Sequence, residues 1–130
     1  MSQNPFQVLC DQMRQQVPGS MASGIFSFED GLMLAVDSSV PDTNMDHMSN
    51  SHVRIFERMR KFLDMLPTSI SGQMHSVVLD LDRSTFFMTM DHKHTLVVMV
   101  ACSKDTGNLG MLRVLSKRFL QRALDILMVQ

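Results

Sequence analysis

Hydrophobic and polar positions change period several times along this 130-residue chain, and the changes predict its elements. Phe6, Leu9, Cys10 and Met13 are spaced i, i+3, i+4, i+7, which places them on one face of a helix. Pro5 suits the first turn of that helix, where its missing N–H costs nothing, and Pro18-Gly19 ends it. Met21 to Phe28 and Leu32 to Val36 read as two short strands. Between them Glu29-Asp30-Gly31 supplies a turn, because glycine accepts the positive φ that a tight hairpin requires. Asp37 to Asn44 reads as a loop. A longer helix is expected from about Met45 to Leu66, stopped by Pro67, with apolar positions 48, 55, 56, 59, 62, 63 and 66 on a broad face. Glu57 with Lys61 and Arg60 with Asp64 are i, i+4 charge pairs, each worth about 0.2–0.5 kcal/mol on an exposed side. The run Ser49-Asn50-Ser51-His52 is polar for a helix interior. Either the helix begins later, near Ser51, or small residues there let something pack closely.

Three more strands follow, Met74 to Leu81, Thr85 to Met90 and Leu96 to Cys102, with turns at Asp82-Arg83-Ser84 and Asp91-His92-Lys93-His94. Both parities are apolar in the last of these, which predicts a strand covered on both faces and hence helices on both sides of the sheet. The final helix begins after Thr106-Gly107-Asn108. Leu109, Leu112, Leu115, Phe119, Ala123 and Ile126 form its apolar stripe, and Arg113, Lys117, Arg118 and Arg122 its basic flank. The order is α-β-β-α-β-β-β-α. Tight turns between most strands predict an α/β chain of the α+β type, a five-stranded, mainly antiparallel sheet with one helix on one face and two on the other.

Length fits a single domain over residues 1–130 with one core. At 45% apolar and 19% charged residues the composition is that of a globular chain. The net charge of −1 lacks the basic excess with which nucleic-acid binders displace counterions, so no nucleic-acid partner is expected. Cys10 and Cys102 belong to no CxxC pattern and read as buried, reduced thiols of a cytoplasmic protein. Met1 to Phe6 lacks a basic and apolar leader, and the apolar runs fall short of the ~20 residues of a membrane helix. No membrane insertion is expected. Methionine occurs 14 times while Trp and Tyr are absent. Methionine suits an adaptable contact surface or a core, and core filling is the reading for most of these residues.

Candidate chemistry is thin. His92 and His94 flank Lys93 in a turn, which supplies two ligands and a repelling cation, so no metal is expected there. His47 and His52 are five residues apart and do not share a helical face. Asp80 and Asp82 fall on one face of a strand and read as a charged strand end, since Gly107 to Gly110 lacks the phosphate-loop pattern. No serine sits in a nucleophile motif, and neither cysteine has a basic neighbour to activate it. The chain is therefore expected to be no enzyme and to need no cofactor. The basic flank of the last helix reads as a solvated face, with docking to an acidic partner surface as the alternative.

Three segments resemble the Roadblock (dynein light-chain-like) family: the hairpin from Ser27 to Ala35, the strand from Gln73 to Asp82, and the Lys104 to Arg113 passage with its Asn-Leu-Gly step. Their order and spacing cover roughly residues 6 to 127. The chain departs from the family at Ser49-Asn50-Ser51-His52, where a small apolar run is usual. The resemblance implies a Roadblock/profilin-like fold and a homodimer or heterodimer in which middle helices pack together and third strands pair. On that reading Met48, His52, Phe56 and Met59 of the helix, with Met74, His75 and Val77 of the strand, are the candidate contacts. It also implies a non-catalytic regulator or scaffold of a small Ras-like GTPase; in bacterial relatives the dimer promotes hydrolysis without donating an arginine finger. A scaffold for another protein partner and a small-ligand sensor domain are the alternatives.

Overall fold

The structure, a computed structural model, describes residues 4–29, 31–39, 45–105 and 108–129; for residues 45–53 and 71 it describes the backbone only. Helix α1 (Pro5–Gln16) starts where expected: Asn4 accepts a hydrogen bond from the Phe6 N–H at 3.0 Å and Pro5 occupies the first turn. It stops at Val17, whose extended backbone precedes Pro18 and a left-handed Gly19 (φ 74°). Strands β1 (Ser20–Ser27) and β2 (Met33–Ser38) form the first hairpin, with Gly31 at φ 69° in its turn. Asp30 lies outside the described residues. β2 takes in Asp37 and Ser38, which the sequence assigned to a loop, because they pair with Ser23 and Ala22.

Helix α2 (Met45–Asp64) begins ahead of Ser49, so the polar run lies within the helix. Neither expected charge pair closes. Arg60 instead lies 4.9 Å over the Phe28 ring, a contact that the sequence spacing does not reveal. A short helix not anticipated from sequence, α3 (Thr68–Ser71), follows Pro67 and is closed by Gly72 at φ 58°. β3 (Ser76–Asp80), β4 (Ser84–Met90) and β5 (Leu96–Ser103) complete the sheet. β3 is shorter than expected: Met74, His75, Leu81 and Asp82 flank it, so Asp80 and Asp82 do not share a strand face. In the β4–β5 turn the Asp91 carboxylate accepts from the N–H groups of Thr95 and Leu96, at 2.7 and 2.8 Å.

The strand order is β2-β1-β5-β4-β3, every neighbouring pair antiparallel. β5 is buried along nearly its whole length, as its doubly apolar pattern predicts. Leu96, Val98, Val100 and Cys102 pack with α1 and with α4 (Leu109–Met128), while Val97 and Met99 pack on the opposite face. There Phe56 of α2 is wedged between Phe26 and Phe28, at ring separations of 5.9 and 5.0 Å. The buried face of α4 is Leu112, Ser116, Phe119, Leu120 and Ala123; Leu109 is exposed and Leu115 and Ile126 are half-buried, so the expected stripe is rotated.

Phe56→Ala empties the centre of the α2 layer and is expected to cost about 3–5 kcal/mol, read as a lower urea midpoint. Burial pushes the Cys10 thiol up to about 12 and the Cys102 thiol up to about 11, from 9.0. Both therefore stay protonated in the folded chain and ionise in the unfolded one. Stability is kept below pH 9 and lost as pH rises above it. Native protein is expected to resist an aromatic disulfide reagent at pH 8 and to release two thiols on denaturation; the alkaline loss should shrink in Cys10→Ala.

Candidate protein interface

A five-stranded open sheet has two edges, and this chain treats them differently. β2 is covered. Side chains of α1 reach its outward backbone: Gln7 donates to the Val36 carbonyl at 2.8 Å and accepts from the Val36 N–H at 3.4 Å, and Asn4 donates to the Leu34 carbonyl at 3.1 Å. Arg14 adds an ion pair to Asp37 at 3.3 Å. These contacts occupy the groups with which a foreign strand would pair. β3 has no such cover among the described residues. Among the described residues, the hydrogen bonds of Ser76–Asp80 run to β4, and no side chain caps the outward row.

Beside that bare edge runs an exposed apolar seam on α2. Ile55, Met59 and Phe62 of α2, with Leu66 two residues beyond its end, are spaced four, three and four residues apart, the spacing of helices that pack along their length. Met48 and His52 continue it in sequence, though their side chains lie outside the described residues. Phe62 is 60% exposed and Ile55 38%, with Met59 and Leu66 half-buried. Met65 is 82% exposed and Ile70, in the link from α2 to β3, 73%. Leu79 shares a strand face with Val77, which packs toward α2, and it too is exposed. So many large apolar side chains on one helix–link–strand segment exceed the scattered exposure of an ordinary surface.

The candidate contacts named from sequence divide on this map. Phe56, at 2% exposure, is held inside the chain's own core. Met59, Met74 and Val77 are half-buried against that core, and His75 is exposed just ahead of β3. Ile55 and Phe62 were legible as apolar helix positions but had not been singled out as contacts. Their exposure follows from the rotation of α2, which points Phe56 toward the sheet. Leu79 falls in the strand expected from Met74 to Leu81, in alternation with His75 and Val77, whereas Met65 and Ile70 carried no periodic signal.

The polar groups nearby are structural. His94 takes a left-handed backbone (φ 54°), lies against Phe28 with ring centroids 5.1 Å apart, and its Nε2 sits 3.1 Å from the Met74 carbonyl. Asp80 pairs with Lys104. No group of three or more His, Cys, Asp or Glu side chains converges among the described residues, and no described helix is long and apolar enough to cross a membrane.

No family model matches this chain, and no curated protein does. Solved structures do. A Roadblock/LC7 domain from Streptomyces avermitilis superposes with a TM-score of 0.77 at 20% identity, covering 94% of this chain and 97% of that one. MglB of Myxococcus xanthus gives 0.75 at 11% identity, covering 96% of each. An MglB with a tetrameric arrangement gives 0.70 at 10%, covering 94% of this chain and 89% of that one. The fold is that of the Roadblock/LC7 domain.

Proposed function

We propose that this chain is a non-catalytic, self-associating module that regulates or scaffolds a small Ras-like GTPase. The observation that carries the reading is the bare β3 edge lying beside the exposed α2 seam. Two copies related by a two-fold axis would pair β3 with β3 and lay seam against seam, satisfying the open backbone row and burying Ile55 and Phe62 in one step. The Roadblock resemblance supports a GTPase as the further partner, and a structural neighbour described in a tetrameric arrangement supports self-association. Met48, His52, Met59, Met74, His75 and Val77 would line the contact, with Phe56 supporting the helix from behind.

Light scattering after gel filtration at low micromolar concentration is expected to give twice the 14.8 kDa of one chain. Refractive-index detection is needed because Trp and Tyr are absent. Phe62→Asp should weaken association by at least about 2 kcal/mol, roughly thirtyfold in dissociation constant. A well-folded wild-type monomer would sink the interface. With the dimer as bait, a small GTPase is expected to be retained in one nucleotide state and not the other, while the chain alone hydrolyses no GTP. Recovery of an unrelated protein in both states would move the reading to a general adaptor.

A further inference from the structure

The face of the sheet opposite α2 is only partly roofed. α1 lies over β1 and β2, α4 lies over β5 and β4, and the two helices pack side by side. Helices sit about 8–10 Å apart and strands about 4.8 Å apart, so two helices roof about four strands. The fifth here is β3, and between it and α4 a groove stays open.

Three cavities follow α4 along this groove. One of about 300 Å³ lies near its start, between Val78, Thr85 and Leu112. The next, about 440 Å³, is floored by Phe87 and Thr89 and walled by Val114 and Leu120. The third, about 690 Å³, continues past Leu124 and Leu127 toward the end of the helix. Lys117, Leu120 and His75 belong to both of the larger two, so these form one channel. Its α4 lining, from Arg113 to Met128, spans on the order of 20 Å of helix.

Its lining is mostly apolar, with Thr89 and Ser76 among it, and its rim is cationic. Arg113 and Lys117 line it from α4, and Lys93 from the β4–β5 turn. The acidic side chains on its walls are engaged: Asp91 accepts the N–H groups of Thr95 and Leu96, and Asp80 pairs with Lys104. Arg113 lies 5.7 Å over the Phe87 ring. Val114 is 53% exposed between Arg113 and Lys117. We infer that this groove binds an amphipathic helix of a protein partner, apolar stripe down and acidic flank toward Arg113, Lys117 and Lys93. Such a helix would stand beside α4 as α1 does on its other side, completing the layer. The groove is whole within one chain and, apart from His75, which also stands among the proposed dimer contacts, is lined by residues away from the α2 seam.

The test uses the full chain and two labelled 20-residue helical peptides with the same leucine stripe, one flanked by Glu and its twin by Lys. Fluorescence anisotropy is expected to show the acidic peptide binding at least tenfold more tightly, with affinity falling as salt rises. Arg113→Glu with Lys117→Glu should reverse the preference, and Val114→Asp should weaken both peptides. Phe62→Asp should leave binding unchanged even where it abolishes the dimer. Equal binding of the two peptides, or indifference to the charge reversal, overturns the proposal. So does loss of binding in Phe62→Asp alone, or sedimentation with phosphatidylserine vesicles when neither peptide binds. Urea midpoints of the variants within error of wild type exclude misfolding as the cause.

Discussion

Both hydrogen-bonding edges of β5 are taken, by β1 and β4, and both of its faces are covered by helices. A strand so placed cannot carry a charged or unpartnered polar side chain without a large desolvation cost. Its run of seven apolar residues from Leu96 to Cys102 meets that constraint. Alternate residues serve opposite layers, Leu96, Val98, Val100 and Cys102 toward α1 and α4, Val97 and Met99 toward α2. Because the last strand inserts between the first hairpin and β4, the edges of the sheet fall on β2 and β3.

That outcome creates the problem the surface then handles. An open edge invites any strand, and β2 is protected at low cost because α1, placed over it by Phe6, Leu9 and Met13, can extend Asn4 and Gln7 to its backbone. Among the described residues, no helix stands in the same relation to β3. On one side of β3 lies the α2 seam and on the other the groove beside α4, so the uncapped strand adjoins two apolar stretches of surface. One absence of cover explains both.

The sequence was legible where burial is two-sided or strictly periodic. Phe6, Leu9, Cys10 and Met13 marked α1, and the unbroken apolar run marked β5; both are buried where the pattern put them. Elements half in water were read less well. On α4 the pattern selected Leu109 and Leu115, whereas the helix turns Ser116 and Leu120 inward; periodicity tolerates a rotation of one position when both flanks are rich in leucine. On α2 the apolar positions span too wide an arc to say which would face the sheet. Phe56 won because Phe26 and Phe28 form a cleft for its ring, a fact set by residues some 30 positions away. Ile55 and Phe62 were left outside for the same reason. The edge asymmetry was invisible in sequence, since nothing in the pattern of Asn4 or Gln7 tells that their amides reach across to Leu34 and Val36.

The two layers also differ in what fills them. The α1–α4 side is built mainly of branched and aromatic residues with Ala and Cys between them, and Met13 is the methionine among its buried members. The α2 side takes Met88, Met90 and Met99 into its buried cluster and packs Met33, Met59 and Met74 against it. Methionine has three rotatable side-chain bonds and a polarizable sulfur, so it fills a gap without dictating one arrangement. A helix resting on such a layer can rotate or shift slightly at small energetic cost, whereas one set into interlocking leucine and valine cannot. The methionine excess thus serves the core directly. It does so beneath α2, whose outer seam is exposed, where a layer able to repack is useful when that seam meets another surface.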